Sequence, residues 1–405
     1  MTDNRFLIDD SGSQATDPVD EAVRLHDLAT TARQERRHDD AERLARQALA
    51  ILESASGSNH PDVANVLLCL AGVHMDRADY FVAEPLYRRA VGILEQVLEP
   101  SDDPDLQRLW MQALGSLGNL YRVMGRYREA EPLLKQAVAI AERTFGREHC
   151  EVAGALNELG VLYKYTAEFA KASRLYRRAL AITEGALGPD DPQIATILHN
   201  MGGLEHARGR FAQGEPFARR SVAIREKALG VDHPEVAADA AALAAILEAR
   251  GKREEAEAIY RRALSTFERA YGPGHYEVAI TLNNLATLEA SNGHLAEAER
   301  LYMRALAIKE HLLGPDHPDV AMTLNNLAGL VQKQKRTAEA EALYRRALAL
   351  FERALDPTHP KIATCLANYA GLLRDSNRIA EARALEARAR RTARRKRPRR
   401  SVHET

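Results

Sequence analysis

The sequence predicts an all-α chain built as a right-handed superhelical solenoid of about nine helix pairs, and three observations carry that prediction. A His-Pro dipeptide or a near relative returns every 42 residues from His149 onward. Each interval holds two apolar stripes at three-four spacing, the signature of amphipathic helices. Small residues hold three fixed positions in nearly every interval, which lets helices approach closely. A regular period of this length marks a stacked array in place of one compact core.

The interval from His317 to Thr358 shows the unit. Val320, Leu324, Leu327 and Val331 share one face of a first helix, Gln334-Lys335-Arg336 breaks it, and Ala340, Leu343, Tyr344, Ala347, Leu348, Phe351 and Leu355 form the apolar face of a second. Gly146, Gly188, Gly230, Gly272 and Gly314 fall just past the second helices, where a left-handed residue is expected to close the last turn. The Asp or His before each Pro is placed to cap the next helix, whose first turn tolerates the missing proline N–H.

The small positions read Ala29, Ala71, Gly118, Gly160, Gly202, Ala244, Ala286, Ala328 and Ala370 in the first helices. In the second helices they read Ala41, Ala83, Ala130, Ala172, Gly214, Ala256, Ala298, Ala340 and Ala382, then Ala48, Ala90, Ala137, Ala179, Ser221, Ala263, Ala305, Ala347 and Ala389. Units are expected near 18–59, 60–102, 103–148, 149–190, 191–232, 233–274, 275–316, 317–358 and 359–390, with a disordered segment 1–17 ahead and a basic tail 391–405 behind. Phe6-Leu7-Ile8 could dock on the first unit as a cap. Two departures stand out. The step from Ala71 to Gly118 is 47 residues, so a local bulge or widened angle is expected around EPSDDPD. The unit from His233 carries Ala240-Ala241-Ala242-Leu243-Ala244 where others carry Asn, a bland inner face and an expected gap in any binding track.

With Tyr87, Tyr176, Tyr260, Tyr302 and Tyr344 between the small positions, this pattern resembles the tetratricopeptide repeat. The stretches LNNLA, AEALYRRALAL and GPDHPDVA look like the 42-residue repeats of kinesin light chains and their many bacterial relatives, over about residues 18 to 390. The resemblance implies tetratricopeptide-type helix pairs and a concave groove that binds other proteins. Kinesin light chains carry a coiled-coil segment ahead of their repeats, and about 17 polar residues stand there in this sequence, so motor attachment is not implied.

Composition sets the remaining bounds. Hydrophobic residues at 45% and charged residues at 28% can bury a continuous core under a polar surface. The net charge of −1 averages an acidic body with a basic end, since Arg388 to Arg400 holds nine Lys or Arg and no acid. Cys69, Cys150 and Cys365 are far apart and form no CxxC pair, which suggests neither a zinc knuckle nor a disulfide framework. No basic start with an apolar stretch follows Met1, and a cytoplasmic location is expected. No GxSxG, GxxxxGK[ST], HExxH or GxGxxG motif occurs, so no catalysis and no cofactor are expected. One histidine per unit, at His60, His149, His233, His275, His317 and His359, puts neighbours roughly 16–20 Å apart. Zn–N bonds of about 2 Å rule out a shared metal at that separation. These are read as capping residues.

Function is then expected on the inner wall. Asn157, Asn200, Asn283, Asn284, Asn325, Asn326 and Asn368 precede the small position of the first helices, and a row of amides can hold the backbone of an extended peptide or a partner's helix. Asn at these places commonly contacts peptide backbone in the proteins this chain resembles. Bridging between adjacent helices is the competing reading. One turn on come Arg122, Lys164, His206, Lys333 and Arg374, with Glu248 as the exception, and these could pair with an acidic ligand. The expected role is that of a non-catalytic scaffold or adaptor. Self-assembly through the end repeats and polyanion contact through Arg388–Arg400 are the alternatives. The Arg-Arg pairs 88–89, 177–178, 261–262 and 345–346 are expected on the outer surface.

Overall fold

The computed structural model describes residues 17–77, 79–98, 103–355 and 357–394. Among them are eighteen α-helices and no strand. They run as nine pairs: α1 (Pro18–Gln34) with α2 (His38–Ala55), α3 (Pro61–Asp76) with α4 (Tyr80–Leu98), α5 (Pro104–Val123) with α6 (Tyr127–Phe145), α7 (Cys150–Tyr165) with α8 (Phe169–Leu187), α9 (Pro192–Ala207) with α10 (Phe211–Leu229), α11 (Pro234–Ala249) with α12 (Arg253–Tyr271), α13 (Tyr276–Asn292) with α14 (Leu295–Leu313), α15 (Pro318–Lys333) with α16 (Thr337–Ala354), and α17 (Pro360–Asp375) with α18 (Ile379–Arg394). Helices α1 to α4, apart from Tyr80 at the start of α4, belong to one compact unit and α5 to α18 to a second. The expected N-terminal cap Phe6-Leu7-Ile8 and the tail beyond Arg394 lie outside the described residues.

The helix starts are set by their caps. The imidazole Nδ1 of His60, His149, His233, His275, His317 and His359 accepts the backbone N–H two residues on, at 3.1–3.3 Å. Asp17, Asp103 and Asp191 do the same with a carboxylate oxygen at 2.8–2.9 Å. Each satisfies one of the orphan donors of a helix N-terminus. The helix ends differ from the expectation. Gly146, Gly188, Gly230, Gly272 and Gly314 have φ of 80–86° but ψ of 154–167°, an extended conformation essentially reserved for glycine. The left-handed turn lies inside the pair, where Lys335 in the polar break has φ 65° and Gly125 has φ 74°.

The core lies where the small residues let helices meet. Ala71, Ala244, Ala286 and Ala328 are fully buried, as are Ala83, Ala172, Ala256, Ala298 and Ala340. Tyr176 and Tyr260 are likewise sealed. At Gly160 a Cβ would stand 2.6 Å from the Tyr176 ring, so this position has no room for alanine as packed. The third series fades at its end, where Ala389 is only half-buried.

The 47-residue step is absorbed mostly as helix. Pro61 precedes Ala71 by ten residues and Pro104 precedes Gly118 by fourteen, so α5 gains a full turn at its start and runs for 20 residues. Residues 99–102 of the connection where a bulge or widened angle is expected lie outside the described residues. The Arg-Arg pairs do more than decorate a surface. The second arginine of each, at Arg89, Arg178, Arg262 and Arg346, donates to a carbonyl 31 residues earlier, in the loop of the preceding unit. Arg220 and Arg304 repeat the arrangement and also pair with Glu184 and Glu268 at 2.8 and 2.7 Å. Each exposed ion pair contributes ~1 kcal/mol at most, so this seam sets register more than stability.

Candidate functional site

Within the second unit, consecutive first helices pack on one another, whereas among the described residues consecutive second helices make no comparable contact. That asymmetry puts α5, α7, α9, α11, α13, α15 and α17 on the inner side of the curve. The curve tightens until the chain meets itself. His317, already accepting with Nδ1, donates from Nε2 to the Val123 carbonyl at 2.5 Å, and His359 does the same to Tyr165 at 2.8 Å. Both contacts span 194 residues, between four and five units. Val123 and Tyr165 are the last residues of α5 and α7, whose final carbonyls lack a partner within the helix. Capping histidines of one turn thus cap the helix ends of the turn before.

Two cavities lie along this inner wall and share Tyr165. The first, of about 410 Å³, is bounded by Arg122, His199, Tyr276, Glu277 and Asn284. Its far wall is Ala238, Ala241, Ala242 and Ala245 of α11. The bland face of that unit is thus the space that makes the cavity. His199 rests its Nδ1 2.8 Å from Asp239, a buried carboxylate that also accepts from Ser221 and Arg225 at 2.7 Å. Burial would raise the Asp239 pKa, but His199 and Arg225 hold it below the usual range. Glu277 goes the other way, pushed up by burial and eased only by His199. Beside it, burial favours the protonated form of Asp319, but Lys361, His317 and Lys309 draw its pKa down to about 2.

The second cavity, of about 470 Å³, is lined by Lys164, Gly203, Asn325, Asn326, His359 and Lys361, over an apolar floor of Phe169, Met322 and Phe351. No Asp or Glu lines it. The Lys164 ammonium sits 5.6 Å from the Tyr165 ring centre, and no carboxylate bonds it among the described residues. Burial, then the nearby Arg122, pull its pKa down to about 8, against a partial offset from Glu158. Glu158 is itself pushed up by burial and is a weak counter-ion.

The expected site residues divide between these places. Asn200 donates to Asn157 at 3.0 Å and Asn368 to Asn325 at 3.2 Å, each bond linking adjacent first helices 43 residues apart. These four side chains therefore bond across adjacent first helices. Asn283 is buried with its Oδ1 unpartnered among the described residues, while Asn284 faces the first cavity and Asn325 and Asn326 the second. Arg122 donates to Asn119 Oδ1 and lies 5.2 Å from the Tyr165 ring centre. His206 is part-buried beside Phe211, with ring centres 5.4 Å apart, and burial followed by Lys164 lowers its pKa. Lys333 is exposed, Arg374 is ion-paired with Glu386, and neither lines these two cavities. Residues not foreseen are Tyr165, His199, Asp239, Glu277 and Lys361. Asp239 alone left a signal, as a lone charge inside Ala237-Ala238-Asp239-Ala240-Ala241.

The tetratricopeptide repeat profile matches residues 20–96, 111–185, 193–269, 238–311, 277–352 and 319–395. The chain belongs to the tetratricopeptide repeat family. Among solved structures, this tetratricopeptide chain is similar to a Rap protein complexed with competence and sporulation factor, at 14% identity and a TM-score of 0.54, covering 90% of this chain and 99% of that one. That likeness is one of fold. The nearly identical repeats of a Podosopora anserina putative kinesin light chain align at 22% identity over 52% of this chain and all of theirs, with a TM-score of 0.40. BtubC (BKLC) from P. vanneervenii aligns at 22% identity over 73% of this chain and 97% of its own, with a TM-score of 0.35. A sequence comparison with curated proteins gives no match. Among the described residues no helix is long and apolar enough to cross a membrane, and no cluster of His, Cys, Asp and Glu could hold a metal ion.

Proposed function

We propose that this tetratricopeptide chain is a protein-interaction scaffold whose second unit takes an extended, acidic polypeptide along the inner wall. One observation carries the reading: Arg122 and Lys164 project at the wall with no carboxylate bonded to either among the described residues, next to cavities onto which Asn284, Asn325 and Asn326 open. Cations held part-buried without a bonded carboxylate repel each other and cost stability until an anion arrives. The amides supply donors and acceptors to a guest backbone without demanding particular side chains. The Rap protein was solved with competence and sporulation factor, which is consistent with occupancy of this fold by a ligand.

The test uses fluorescence anisotropy with labelled Asp/Glu-rich and Lys/Arg-rich peptide pools, on wild type and on Arg122→Glu with Asn284→Ala and Asn326→Ala. Asn157 and Asn200 are left intact because their mutual bond holds helices together. The acidic pool should bind wild type and lose at least about tenfold in the variant, the scale of one or two charge-assisted bonds. Equal binding of both pools, or an unchanged variant, removes the inner wall from the function.

A further inference from the structure

We infer that the 470 Å³ cavity between Lys164 and Asn325–Asn326 is a binding site for a small amphipathic carboxylate, an acid head on an apolar body with about eight carbons in all. Its volume falls within the ~300–1,000 Å³ usual for small-molecule sites. The chemistry of its lining divides cleanly. At one side Lys164 points in, and the missing side chain of Gly203 leaves its ammonium in contact range, 3.5 Å from where a Cβ would stand. The lining also includes Asn326 and Lys361, whose side chains carry further donors, and Asn325, whose amide already donates to Asn326 Oδ1 at 3.4 Å. Lys361 already has Asp319 near it, so Lys164 is the charge left to be met. The remaining surface is Phe169, Met322, Phe351, Ala207 and Pro360, which offers an apolar body a place out of water.

A cavity with cations, amide donors and apolar walls, but without one acidic residue, rejects amines and rewards an anion. A purely polar anion would leave the aromatic floor wetted, and a purely apolar guest would leave Lys164 desolvated and unpaired. Only a molecule with both parts satisfies the lining. The size of the guest follows from the fold. The bond from His359 to the Tyr165 carbonyl ties together two residues that line the cavity, and the enclosed volume suits a compact ligand. Such a ligand touches α7 and α9 of one turn and α15 and α17 of the next, and its binding would hold the two turns closed.

The site shares Lys164, Asn325 and Asn326 with the polypeptide reading but does not rest on it. The experiment is calorimetric titration of the full chain with octanoate, with acetate, 1-octanol and octylamine as comparators, and thermal unfolding in parallel. Octanoate should bind saturably at one site and raise Tm, while each comparator, lacking one half of the chemistry, binds at least about tenfold more weakly. Lys164→Gln should weaken octanoate by about tenfold or more, and Gly203→Leu, which fills the space but keeps the lysine, should do likewise. Circular dichroism confirms that each variant is folded, and the ligand series on wild type decides the matter even if one is not. Octanol binding as tightly as octanoate, non-saturable octanoate binding, or full affinity in a folded Lys164→Gln overturns the proposal. Octanoate binding with no peptide binding removes the polypeptide reading and leaves this one. The reverse outcome removes this one.

Discussion

Glu248 is the inner-wall acid in a row of cations, and replacing it with Gln gives a prediction whose sign depends on pH. The carboxyl is part-buried on α11 with the Tyr260 hydroxyl 3.4 Å away. Burial raises its pKa from 4.5 to about 7, while the Tyr260 bond and Arg253 pull weakly the other way. Below pH 4.5 both folded and unfolded chains hold the proton at this site, and the site has no influence on stability. Between pH 4.5 and about 7 the unfolded chain has ionised and the folded one has not, so stability falls as pH rises through that window. At ~1.4 kcal/mol for each tenfold change in proton affinity, the loss approaches roughly 3 kcal/mol by pH 8. Gln keeps the shape and an oxygen for Tyr260 but never ionises. Glu248→Gln should therefore match wild type in urea unfolding at pH 4 and exceed it by roughly 2–3 kcal/mol at pH 8. All other titrating groups are common to the two proteins and cancel in the difference. A difference that is equal at the two pH values, or a variant less stable at pH 8, would refute the burial argument.

Two further perturbations test the packing. Asp239→Ala strips the carboxylate from Arg225 and Ser221, which are 7% and 0% exposed, and should cost about 3 kcal/mol, the low end for a broken buried pair because Arg225 keeps Glu235; a loss below about 1 kcal/mol in the denaturation midpoint would count against the network. Gly160→Ala forces a methyl against the Tyr176 ring and should cost about 1–3 kcal/mol, whereas Gly203→Ala meets only the end of Lys164 at 3.5 Å and should be neutral or stabilising by up to ~1 kcal/mol. Equal effects at the two glycines would show that the ring can move aside.

The helices, their caps and their small contact positions were legible in the sequence because each is decided within a few residues. His317 before Pro318 marks a helix start, and the three-four rhythm of Val320, Leu324 and Leu327 fixes which face is buried in the core. The pairing of Asn200 with Asn157 was half legible: the row was visible, but its 43-residue rungs were not. The second duty of His317 and His359, the cavity walled by Ala238, Ala241 and Ala242, and the lack of a carboxylate bonded to Lys164 among the described residues were not legible at all. These depend on where one turn of the array meets the next. That meeting point is the sum of small rotations over four to five units, a quantity written at no single residue. The sequence by itself therefore determined the repeat, its hairpins and their buried face. Tertiary structure alone decided which inward residues face one another across the gap.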